Sequence, residues 1–437
     1  MTKRTIDTIN FTSCKRRLVQ ADFNGGDITS DGGIVLLREM DRRLQLTAAI
    51  AGRLTDKRYK KRICHDYLSM IRQRVYGLCL GYEDLNDHNQ LRSDPLVQTA
   101  VEKDQTLASP ATLCRFENSM GRKEAALIHE VLVERFVESF KEAPTQLILD
   151  FDATDDAVHG RQEGRFFHGY YDHYCFLPLY VFCGDQLLVS YLRTSKRDAA
   201  KHSWAILSLL VKRFRQAWPE VRIIFRGDSG FCRWKMMQWC DRHKVKYIIG
   251  LAKNSRLNTL SADLHRKAEA GYLQSKEKQR LFRSIQYGAA SWDKPRRVIV
   301  KAEHSYKGSN PRYVVTNLAG DEQDLYDNLY CARGDMENRI KEQQLGLFAD
   351  RTSCQKWWPN QFRLLLSSIA YVLLESIRRL YLKGTQLARS QADSIRLKLL
   401  KIGAVIIRNT RRIRVLLSGS YPYQELFTLV AEKLAPG

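Results

Sequence analysis

Three carboxylates in this 437-residue chain sit where metal-assisted chemistry on a phosphodiester would need them. Asp152 closes the apolar run of LILDFDATDD, Asp228 follows that of IIFRGDSGF, and Glu337 lies in the basic helical segment YCARGDMENRIKE. Each stands on an element able to aim it at a common point. Two divalent ions shared by three carboxylates can polarise an entering oxygen and stabilise a leaving one, with no covalent protein–DNA intermediate. Mg²⁺ suits such a site because it keeps several waters and takes few carboxylates. Two ions are expected, with Mn²⁺ able to replace them. Asp150, Asp155 and Asp156 compete with Asp152: by strand alternation Asp150 shares its face, while Asp155 and Asp156 lie past the strand end.

The elements that would position these acids alternate in type. Leu147–Phe151, Phe176–Cys183 and Leu187–Leu192 read as strands, the last two joined by a turn at Gly184-Asp185. Trp204–Phe214 reads as a helix with Ile206, Leu207, Leu210 and Phe214 on one side, followed by a strand at Val221–Phe225, a helix at Trp234–His243 and a strand at Tyr247–Leu251. The order β-β-β-α-β-α-β is that of an RNase H-like α/β core with a mixed sheet, which sets the first and fourth strands side by side. Asp152 and Asp228 would then converge at one sheet edge. Near Glu337, the residues Tyr330, Arg333, Glu337 and Lys341 recur at i, i+3, i+7 and i+11, within one helical face about 80° wide. Leu325, Leu329, Met336 and Ile340 form an adjoining apolar face, and Gly334 marks a point where the helix could break.

Five segments are expected: a helical, basic domain over 1–145, the first part of the core over 146–252, and a β-rich insertion over 253–320. A helical second part of the core carrying the glutamate follows over 321–385, then a basic helical C-terminal region over 386–437 that includes Arg408–Arg414. In the insertion, RRVIVKAE and RYVVTNL alternate as antiparallel strands about a turn at Lys307–Pro311. In the first segment Ser109-Pro110 starts a helix that sets Thr112, Arg115 and Asn118 on one side, a face that could enter a major groove or simply meet solvent.

A formal charge of +23 calls for a polyanionic partner. The basic residues run through the whole chain instead of flanking an apolar amphipathic stripe, which favours double-stranded DNA over a membrane surface. The opening MTKRTIDTINF has no apolar signal run, and Leu364–Ile377, broken by Glu375, is too short to span a bilayer, so a cytoplasmic, nucleoid-associated protein is expected. Ten cysteines form no CxxC pair, which argues for reduced thiols over structural zinc. His159, His168 and His173 match no common metal spacing. Arg226 could contact a scissile phosphate or pair with an acidic neighbour, and Lys253, just after the fifth strand, could touch DNA.

The blocks LDFDATDD, FRGDSGF and Y-x2-R-x3-E together resemble those of bacterial insertion-sequence transposases of the DDE type. More narrowly they resemble the group with a Y-x2-R-x3-E-x6-K signature and a β-strand insertion before the glutamate. GYEDLNDHNQLRSDP, HGRQEGRFFHGYY and RGDMENRIKE are similar to segments of the insertion-sequence family numbered thirteen-eighty. The resemblance implies metal binding by Asp152, Asp228 and Glu337, and phosphate contact by Tyr330 and Arg333. Where the group often has its lysine this chain has Gln344, with Lys341 as a substitute. Trp292, in the insertion, matches a tryptophan that stacks on a flipped base in related transposases, or it packs the small β-domain. The implied function is cut-and-paste transposition by a homodimer that pairs two terminal inverted repeats and joins them to target DNA. The alternatives are a nuclease or resolvase on the same fold, which would cut without joining, and a domesticated DNA-binding protein, which would need a broken triad.

Overall fold

A computed structural model describes residues 8–435; Met1–Asp7, Pro436 and Gly437 lie outside the described residues, and with them most of the opening read for a signal segment. The apolar runs between 146 and 316 pair into one mixed sheet. Its strands are β1 (Gln146–Ala153), β2 (Leu179–Cys183), β3 (Gln186–Tyr191), β4 (Arg222–Gly227), β5 (Lys246–Leu251), β6 (Gln279–Tyr287), β7 (Arg296–Ser305) and β8 (Arg312–Thr316). The spatial order is β6-β7-β8-β5-β4-β1-β2-β3, with short Gly308–Ser309 paired to β7. β4 lies parallel to both β1 and β5, and the other neighbours run antiparallel. The first and fourth core strands are thus adjacent.

Alternation decides which face each side chain takes. Leu147, Leu149 and Phe151 of β1, with Ile223 and Phe225 of β4, join the larger core, to which helices Ser203–Ala217 and Trp234–Arg242 bring Leu207, Phe214 and Met237. Ile224 of β4 and Ile248 of β5 face the other way and pack with Ile299, Val314, Leu325 and Tyr326. Each such buried side chain contributes roughly 1.5–3 kcal/mol. Leu325 and Tyr326 therefore anchor the segment leading to Glu337 on the same sheet face as residues 150, 152, 226 and 228.

Two expectations are corrected. The run Phe176–Cys183 is two strands, because Pro178 has no N–H to offer a ladder; His173–Phe176 joins instead a small sheet with Asp156–Ala157 and Phe166–His168. The strands of the β-rich insertion join the central sheet: β8 pairs with β5, so β6–β8 extend it. The basic C-terminal region is not all helical. Ala404–Arg408 and Ile413–Leu417 form a hairpin that pairs with Ile28–Thr29, and most of the RNTRRIR run forms its turn.

Two compact units result, 1–117 with 373–437, and 118–372, which divide the chain differently from the five expected segments. The first contains a buried Arg74–Glu117 ion pair at 2.9 Å and, besides its helices, an exposed hairpin of Ile9–Cys14 and Arg17–Ala21. Leu364–Ile377 lies in the buried part of helix Trp357–Tyr381, where Glu375 accepts from Arg379 at 2.8 Å. Among the described residues no helix is long and apolar enough to cross a membrane.

Candidate active site

Strand register brings the first two acids level. Gly227 is paired with Phe151 across β4 and β1, so Asp228 and Asp152 stand one step further along neighbouring strands. Gly227 is also paired with Ile249, which puts Gly250 of β5 beside Asp228. A side chain at Gly250 would sit 2.6 Å from the Tyr330 hydroxyl and 2.9 Å from the Ser229 nitrogen, so only glycine lets Tyr330 come this close to the acidic edge.

The glutamate segment reaches that edge by changing pitch. Leu325–Tyr330 is π-helical, Cys331–Arg333 a tight 3₁₀ turn and Gly334–Lys341 α-helical, so Gly334 changes the winding without ending the helix. Arg333 then spans two of the acids. Its Nη1 donates to Asp152 Oδ2 at 3.0 Å and its Nη2 to Glu337 Oε1 at 2.7 Å. Asp152 is 9% exposed and also accepts from the Ala153 N–H at 2.9 Å, while Asp228 accepts from the Gly230 N–H at 2.9 Å.

Burial pushes the Asp152 carboxyl up to about 7; Arg333 opposes the rise, and the negative charges of Asp228 and Glu337 add to it. Burial also raises the Tyr330 phenol. Because the folded state holds the Asp152 proton more tightly, stability without divalent ions should fall as pH rises from the ordinary carboxylate range near 3.8 through about 7. Urea unfolding in chelator across that window should show the slope, and Asp152→Asn should flatten it. An unchanged slope in the variant would assign the titration to other groups.

The competing acids are engaged elsewhere. Asp150 holds Arg226 in a buried bidentate pair, Arg226 Nη2 to Asp150 Oδ2 at 2.6 Å, with a further Arg226 bond to the Leu329 carbonyl. Arg226 is thus paired with an acidic neighbour, as one of its two readings has it. Asp156 accepts from Thr352 Oγ1 at 2.8 Å, and Asp155 pairs with His173 at 2.9 Å. Trp292 packs edge-on against Tyr287 at 5.4 Å, half-buried on the core. Lys341 is exposed at its helix end, and Gln344 donates to the Asp155 carbonyl at 2.9 Å. Lys253 is exposed before the Asn254 cap, and Arg115 is exposed and donates to Thr112 at 3.1 Å.

Beside Asp152 and Asp228 lies a cavity of about 120 Å³ walled by His168, Tyr170, Tyr171 and Phe231. The aromatic pair went unweighed in the sequence reading, although FFHGYY interleaves rings with polar residues as base-stacking surfaces do. His159 is exposed.

Three carboxylates are oxygen donors of the kind hard divalent ions take, and a guanidinium now stands between two of them. As they stand, no three His, Cys, Asp or Glu residues among those described are arranged to hold a metal ion. Arg333 bridges Asp152 and Glu337, and Asp228 accepts from the Gly230 N–H.

No curated protein matches the chain. A solved structure, the cryo-EM structure of a piggyBac transposase synaptic complex with hairpin DNA, is similar at 10% identity with a TM-score of 0.42, over 93% of this chain and 82% of that one. The family model for the transposase DDE domain, group 1, matches residues 11–436, and the chain belongs to that family of transposases.

Proposed function

We propose that this DNA transposase works by cut-and-paste, on an RNase H-like core, with Asp152, Asp228 and Glu337 as its metal-binding acids, and that it is of the insertion-sequence family numbered thirteen-eighty. The observation that carries the reading is the level placement of Asp152 and Asp228 on parallel neighbours, with Glu337 tied to Asp152 through one guanidinium. Divalent ions bound by these acids would supply Lewis-acid stabilisation of the entering and leaving oxygens. Tyr330 and Arg333 would hold the scissile phosphate, the hydroxyl by hydrogen bonding and the guanidinium by charge. His168, Tyr170 and Tyr171 would wall off the reacting strand from bulk water. Terminal inverted repeats would be bound by the basic regions on either side of the core, and pairing two ends requires two copies of the chain.

The test uses a duplex carrying the inverted repeats that flank the reading frame. The chain should nick the element end in Mg²⁺ or Mn²⁺ and then join the freed 3′-hydroxyl to a second duplex. Cutting without joining of pre-cleaved ends would make it a nuclease. Failure to cut at all would overturn the assignment of the acids.

A further inference from the structure

After β3 the chain folds back over Leu192–His202 around an arginine that the acidic site does not use. Arg193 is 3% exposed. Its Nε donates to the Leu177 carbonyl at 2.9 Å, and its Nη1 to those of Ala199 and Lys201 at 2.6 and 2.9 Å. All three partners are neutral, and Nη2 is buried with no hydrogen-bond partner. Asp198, whose charge acts on Arg193, is itself paired with Arg233. Burial pushes the Arg193 guanidinium down to about 10. A buried cation whose hydrogen-bond partners are all neutral is costly, and its site favours an anion.

Arg193 lines a cavity of about 180 Å³ with Arg197, Lys201, His202, Tyr191 and Trp357, and no acidic residue lines it. Four basic side chains converge there: His202 is pushed down by burial and then by the charges of Lys201, Arg193 and Arg197. Trp357, edge-on to Phe176 at 5.4 Å, gives the cavity an apolar wall. The helix Ser203–Ala217 starts at its rim with no side-chain cap and no acid in its first turn. Leu177 and Ala199, whose carbonyls hold Arg193, also line the cavity containing Asp152 and Asp228. One layer of backbone separates the two.

We propose that this basic cavity binds a phosphate group, and that the phosphate is a backbone phosphodiester of the DNA strand lying beside the scissile bond. The inference rests on the transposase reading and adds to it a second anchoring point. Arg193 is unsuitable as the sole probe, since three backbone carbonyls depend on it. Exposed Arg197 and Lys201 are the better handles.

The experiment compares wild type with Arg197→Ala/Lys201→Ala in binding element-end duplexes in which single phosphates are replaced by neutral methylphosphonates. Wild type should lose about tenfold in affinity at one position near the cleavage site, and the variant should be insensitive at that position. The variant's log–log salt slope should also be shallower by about 1. Identical profiles and slopes in the two proteins would overturn the site while leaving cleavage by wild type as evidence for the functional reading. A wild type that neither binds nor cuts element ends would overturn both. Inorganic phosphate stabilising wild type but not the variant, with no methylphosphonate difference, would overturn the DNA source in favour of a free anion.

Discussion

Asp152→Asn, Asp228→Asn and Glu337→Gln should each lower strand cleavage by at least about 10³-fold, the loss expected when several kcal/mol of transition-state stabilisation vanish. Binding of element-end duplexes should survive, because phosphate contacts elsewhere on a chain of charge +23 carry it. Unfolding does not explain such a loss at Asp152. Its carboxylate is buried with acids around it, so the amide removes a desolvation cost and the variant should be at least as stable as wild type above pH 7. Asp150→Asn is the contrasting control. Burial raises the Asp150 carboxyl too, but there the substitution takes the counter-charge from a buried guanidinium, and that loss should win, destabilising the fold by about 3 kcal/mol. Cleavage assays paired with urea titrations read both quantities. A variant of the three acids that still cuts at the wild-type rate would remove that residue from the chemistry.

What the sequence made legible follows from period and register. The strand–helix alternation between 146 and 251 is visible because each strand is a short apolar run and each helix has a stripe, and adjacency of the first and fourth strands follows from their order. Boundaries failed where a single residue overrules pattern, as Pro178 does in an otherwise continuous apolar run. Nor could pattern place β6–β8: alternation shows that RYVVTNL is a strand, but not that its partner is β5. At the site, strand alternation alone leaves Asp150 and Asp152 on one face, and the bond that engages Asp150 with Arg226 has no signal in the sequence. Arg193 offered no signal, since an arginine after a strand is ordinary until its partners prove to be neutral carbonyls.

Arg333 is the residue for which stability and activity should part company. Its guanidinium is one-fifth exposed and stands between a buried acid and an exposed one, where a divalent ion would have to enter. Arg333→Met should therefore make the chelated protein less stable, on the order of 1–2 kcal/mol after allowing for the exposure of Glu337. The Asp152 carboxyl should titrate above about 7, because the first group opposing its rise is gone. Mg²⁺ should then raise the melting temperature of the variant more than that of wild type, since the ion no longer displaces a resident cation. Cleavage should nonetheless fall roughly 10²–10³-fold, as expected when a charged donor to the reacting phosphate is lost. Thermal melts with and without Mg²⁺, read beside cleavage rates, check the two directions together. If the variant gained no Mg²⁺ stabilisation over wild type, Arg333 would not be occupying the ion's place; if it cut normally, Arg333 would not be holding the phosphate.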